Sequence, residues 1–139
     1  MDLKYEISNL PKDFATKKIE RGHICVGRVT HYPLGGGYYS YHVDPNNVEI
    51  CTDITIMSKR GLDFPQGGLV IEAKKGEKMN LEDQVSPGDV VYFDPSIPHY
   101  VEAISPSGEV QWHKPAGRWM MFSAISEFSS NCSQSSQKA

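Results

Sequence analysis

The feature that most constrains this chain is the rhythm of its punctuation. Short segments rich in β-branched and aromatic residues recur between clusters of Gly, Pro and Asn, the spacing of a sandwich or barrel and not of βαβ units. Strands are expected at Ile24–Tyr32, Tyr38–Val43, Glu49–Ser58, Leu69–Ala73, Lys78–Leu81, Val90–Phe93, His99–Ala103, Val110–Trp112 and Trp119–Ile125, enough for two four-stranded sheets. Alternation supports this within Asp53–Met57, where Ile54 and Ile56 share one face and Asp53, Thr55 and Met57 the other. Gly35-Gly36-Gly37, Asp44-Pro45-Asn46-Asn47, Pro65-Gln66-Gly67-Gly68, Ser86-Pro87-Gly88-Asp89 and Pro106-Ser107-Gly108 carry the residues that tight turns demand. An antiparallel meander or Greek key follows.

With 139 residues, one domain is expected, over residues 1–128, followed by a Ser/Gln-rich tail at 129–139 whose composition predicts disorder. Leu3–Glu20 could hold a short helix or an irregular segment, broken or opened by Pro11, so any helix would be a buttress. No apolar run approaches the ~20 residues of a membrane span. Met1 to Phe14 offers no signal-peptide core, which predicts a cytoplasmic setting. Cys25, Cys51 and Cys132 are odd in number and lack CxxC spacing, which argues against a disulfide framework or a thiolate zinc site; Cys25 and Cys51, in apolar runs, are expected to be buried. A net charge of −3 provides no broad basic surface, so an obligate nucleic-acid partner is disfavoured and a small molecule or a peptide side chain is the expected substrate.

Three elements carry chemistry. His42-Val43-Asp44 ends an expected strand, where positions i and i+2 project to the same side and can bind one cation together. His99, 55 positions after Asp44, opens another strand after a turn and an apolar segment, a separation ample for the chain to return to the same end of a barrel. Two imidazoles and a carboxylate leave adjacent positions free on an octahedral metal, as in non-haem Fe(II) oxygenases, although some hydrolytic zinc sites fit the same description. Arg118, at the head of an apolar strand 19 residues after His99, tips the balance. Its fork suits bidentate recognition of a carboxylate, such as the distal one of 2-oxoglutarate, and Tyr32 could donate its phenol to the same group.

Taken together, the Tyr32–Gly36 turn before His42-x-Asp44, the Gly67-Gly68 pair opening a strand, Gly88-Asp89 ahead of His99, and Gly117-Arg118 resemble the 2-oxoglutarate/Fe(II) dioxygenase superfamily, especially its prolyl-hydroxylase-like and phytanoyl-hydroxylase-like branches. The resemblance spans Ile24 to Ile125. It implies an all-β double-stranded β-helix, a jelly-roll or cupin-like barrel. It also implies Fe(II) on His42, Asp44 and His99, 2-oxoglutarate on Arg118, and O₂-driven hydroxylation with release of succinate and CO₂. Asp44 stands where halogenating relatives have a small residue, which points away from halogenation. Two departures are visible: the region before the first strand is short, and the gap from His99 to Arg118 is long, which predicts an extended hairpin around Pro106–Pro115.

Blander readings stand beside these. His42 and Asp44 could be a solvated strand end, His99 a loop histidine, and Arg118 the partner of a structural carboxylate such as Glu72 or Asp53. His23, His31 and His113 have no partner at ligand spacing, and Trp112, Trp119, Tyr38, Tyr39 and Tyr41 are expected to pack first, with some tyrosines at a pocket mouth. Lys74-Lys75-Gly76-Glu77-Lys78 reads as a charged hairpin tip. Rival functions are a cupin-type isomerase or dioxygenase and a non-catalytic jelly-roll binding module. Exposed sheet edges leave a homodimer open.

Overall fold

A computed structural model describes residues 21–44 and 49–129. The expected N-terminal helix and C-terminal tail lie outside those residues, apart from the end of the last strand. The chain divides into two compact units, and the larger runs from His23 to Glu127.

Eight strands form along the described chain: β1 (Arg21–Pro33), β2 (Gly37–His42), β3 (Glu49–Ile56), β4 (Gly68–Lys74), β5 (Glu77–Asn80), β6 (Val90–Phe93), β7 (His99–Ile104) and β8 (Gly117–Ser129). They build two antiparallel four-stranded sheets, ordered β1-β8-β3-β6 and β2-β7-β4-β5, and no helix occurs among the described residues. Only β4 and β5 are consecutive within a sheet; every other connection carries the chain to the opposite sheet. Residues far apart in sequence are thereby brought to the same end of the interior.

The core follows from alternation. In β3, Thr52, Ile54 and Ile56 are buried while Cys51, Asp53 and Thr55 are half-covered, and β3 pairs with β8 so that Ile54 faces Phe122 and Ile56 faces Met120. Opposite residues of an antiparallel pair lie on one face, so these side chains form layers against Leu69 of β4 and Val101 and Ile104 of β7. Each such aliphatic side chain contributes ~1.5–3 kcal/mol by burial.

Three expectations are corrected. Val110–Trp112 is not a strand. Its Gln111 N–H bonds the Leu34 carbonyl at 2.9 Å, and the segment rides over the β1–β2 turn, where Gly35 (φ 88°) is required because a Cβ would run into the Glu109 carbonyl. The stretch is the extended connection between β7 and β8, and Trp112 is left exposed. Cys25 is exposed and Cys51 half-buried, since β1 is an edge strand and Cys51 takes the outward parity of β3. Tyr38, Tyr39 and Tyr41 are all exposed instead of packed.

Candidate metal centre

The β2–β7 pairing sets His42 opposite His99, which puts both rings on one face with centroids 4.2 Å apart. Asp44, two residues on, is pinned where its N–H donates to the Pro95 carbonyl at 2.9 Å. One ligand-type atom from each of the three residues lies within 4.8 Å of the others.

The hydrogen bonds around the trio fix its chemistry. His42 Nδ1 lies 2.7 Å from the Ser40 carbonyl and His99 Nδ1 2.9 Å from the Ile97 carbonyl. A carbonyl only accepts, so each Nδ1 carries the proton and each Nε2 presents a lone pair. Those Nε2 atoms face Asp44, His42 at 3.4 Å from Oδ1 and His99 at 3.6 Å from Oδ2, beyond good hydrogen-bond length. Burial is the main reason the His99 imidazolium is disfavoured; the Ile97 bond opposes this, the nearby His42 adds to it, and Asp44 opposes it. Three electron-pair donors therefore converge with no proton between them, an arrangement that a divalent cation relieves. The residues fit such a cation.

Thr52, which sequence reasoning did not single out, completes the arrangement. Fully buried on the inward face of β3, it donates its hydroxyl to Asp44 Oδ2 at 2.8 Å. Its parity with Ile54 and Ile56 was the available signal. Phe93 meets the His99 ring edge-on at 4.7 Å, and Tyr39 meets His42 at 4.5 Å.

The trio opens into a cavity of about 490 Å³ between the sheets, whose wall includes Tyr32, Arg28, Phe122 and Trp112. Arg28 is a second omission: it shares the parity of Tyr32 on β1 and lies over the Phe122 ring at 5.3 Å. Tyr32 is buried, and that burial raises its phenol pKa against the opposing charge of Arg118, so the phenol keeps its proton at neutral pH and can donate it in a hydrogen bond. His31 also lines the cavity and stacks on Trp119 at 4.1 Å.

Arg118 shares the inward face of β8 with Met120, Phe122 and Ala124 but stands behind the cavity wall, 5.8 Å from the Tyr32 ring. It is 1% exposed. Its Nε donates to Glu82 Oε1 at 2.5 Å, so the carboxylate beside it is Glu82 and neither Glu72 nor Asp53. Its Nη1 and Nη2 are buried and find no acceptor among the described residues. Leaving a buried donor unpaired costs ~1–3 kcal/mol, more when it is charged, so this end of the guanidinium suits an anion.

No protein-family model and no curated protein matches the sequence. Among solved structures, a Pseudomonas putida prolyl-4-hydroxylase aligns over 78% of this chain and 52% of its own length, with 19% identity and a TM-score of 0.44. This chain thus spans about half of that one.

Proposed function

We propose that the chain is a non-haem Fe(II) oxygenase that uses 2-oxoglutarate as co-substrate and hydroxylates a small molecule or a peptide side chain. The observation that carries the reading is the His42, Asp44, His99 trio with both Nδ1 atoms tied to carbonyls and both Nε2 lone pairs turned toward one carboxylate. Two histidines and one carboxylate are the facial set of such oxygenases. The strand order β1-β8-β3-β6 over β2-β7-β4-β5 supports a double-stranded β-helix, in which ligands from β2 and β7 meet at one end of the barrel.

In this reading His42, Asp44 and His99 hold Fe(II), and Thr52 fixes the carboxylate that completes the set. Arg118 receives the distal carboxylate of 2-oxoglutarate on its unpaired edge, with the Tyr32 phenol as a neighbouring donor. Iron and 2-oxoglutarate together supply the power to oxidise a C–H bond with O₂, giving the hydroxylated product, succinate and CO₂. The protein's share is orientation and exclusion of water, for which Ile54, Leu69, Val101 and Met120 form an apolar cavity wall. The substrate enters past Tyr38, Tyr39 and Trp112, which are exposed at that cavity.

A second reading has its own observation. Arg118 is already paired and does not reach the cavity surface, as expected of a metal-binding module that takes no 2-oxoglutarate. Anaerobic titration with Fe(II) and then 2-oxoglutarate separates the two. A visible charge-transfer band of the chelated keto acid, followed by succinate release in air, supports the oxygenase. Iron binding without the band supports the module, and no iron binding removes both.

A further inference from the structure

We infer that Glu82 is a positioning residue, one that turns the Nη1/Nη2 edge of Arg118 toward an incoming carboxylate; the inference rests on the 2-oxoglutarate reading above. A guanidinium offers a carboxylate two bidentate edges, the side edge that includes Nε and the end edge of Nη1 and Nη2. Glu82 Oε1 occupies Nε at 2.5 Å, and the end edge is the one left buried without an acceptor. The side edge is thereby closed, and an anion is received end-on.

Glu82 is itself held in place. Its Oε1 also accepts from the Leu69 N–H of β4 at 2.8 Å, so the oxygen that orients an arginine of one sheet is anchored to the backbone of the other. Its own N–H donates to Asn80 Oδ1 at 3.1 Å. The side chain enters the interior beside Gly68, which has φ 121°, and a Cβ there would collide with Glu82 Cγ. The Gly67-Gly68 pair therefore does more than open a strand: it vacates the path by which the carboxylate reaches Arg118. Glu82 is 1% exposed, so its hold acts in a low-dielectric interior, where such bonds are stronger.

Two substitutions separate position from charge. Glu82→Gln keeps an acceptor oxygen in place and removes the charge, while Glu82→Asp keeps the charge and withdraws it by one C–C bond, about 1.5 Å. The protein is loaded with Mn(II), and 2-oxoglutarate binding is measured by calorimetry alongside Mn(II) affinity and thermal melting. Glu82→Gln is expected to bind 2-oxoglutarate within about threefold of wild type, and Glu82→Asp about tenfold or more weakly, the loss expected of a misaligned charge-assisted bond. Mn(II) affinity is expected to be unchanged in both. The reverse order, with Asp like wild type and Gln altered, would show that charge alone matters and overturn the inference. So would equal 2-oxoglutarate affinity in all three proteins with only the melting temperature lowered, and in that case the co-substrate reading still stands. A wild type that binds Mn(II) but no 2-oxoglutarate removes both.

Discussion

The Thr52 hydroxyl donates to Asp44 Oδ2 across 2.8 Å, linking the inward face of β3 to the chain just past β2. Asp44 lies just past the end of β2, and this bond fixes the direction of its carboxylate. Thr52→Val preserves shape and removes the donor. The expected outcome is a fall in Fe(II) or Mn(II) affinity of about 10–100-fold, the usual cost of losing a group that orients a metal ligand. Asp44→Ala is expected to abolish metal retention altogether. Metal content after dialysis, together with calorimetry, checks both, and a fully metallated Asp44→Ala protein would remove the metal assignment.

Arg118 and Glu82 neutralise one another in the interior, each 1% exposed. Arg118→Met leaves a buried carboxylate alone and is expected to cost about 3–5 kcal/mol of stability, with Glu82→Met costing a similar amount. The double variant is expected to be far more stable than the sum of the single losses predicts. Urea denaturation of the four proteins measures the coupling, and additive losses would mean that the two side chains do not depend on each other.

Arg28 offers a different place for an anion, at the cavity wall instead of behind it. Its exposed charge is well screened, so Arg28→Ala is expected to weaken 2-oxoglutarate binding by no more than about fivefold. Arg118→Ala is expected to need far more co-substrate to develop the charge-transfer band. If Arg28→Ala shows the larger loss, the distal carboxylate is held at Arg28.

Glu72 gives a pH prediction away from the site. The Gly76 N–H, and then the Tyr41 hydroxyl, hold its carboxyl below the ordinary range. A depressed folded-state pKa stabilises the fold above the unfolded value and loses that contribution as pH falls through the folded one. Wild type is therefore expected to melt above Glu72→Gln at neutral pH, with the difference shrinking as the pH falls below the ordinary glutamate range. Melting curves across that range test it, and a constant difference would mean that the carboxylate charge is not responsible.

Much of the architecture was legible because strand parity leaves a mark on sequence. Ile54 and Ile56 announced the inward face of β3, and the i, i+2 spacing of His42 and Asp44 announced a shared direction. Val110–Trp112 misled because an apolar triplet reads the same whether its N–H groups enter a ladder or, as with Gln111, bond a neighbouring turn. The partner of Arg118 was missed for a related reason. Glu82 follows β5 in a polar stretch, Asn80-Leu81-Glu82-Asp83-Gln84, that looks solvated, and only the absence of a Cβ at Gly68 makes room for it inside. Thr52 and Arg28 were within reach, since each shares parity with a residue already assigned inward.

The register that sets His42 against His99 has a consequence for how the molecule comes together. These two residues belong to strands with four others between them in sequence, and a slip of one position would send one ring to the opposite face. In the metal-binding reading, capture of a cation thus reports that β2 and β7 have met in alignment. During refolding, recovery of that capture would serve as a clock for one non-local pairing, where general spectroscopic signals register only that sheets have formed.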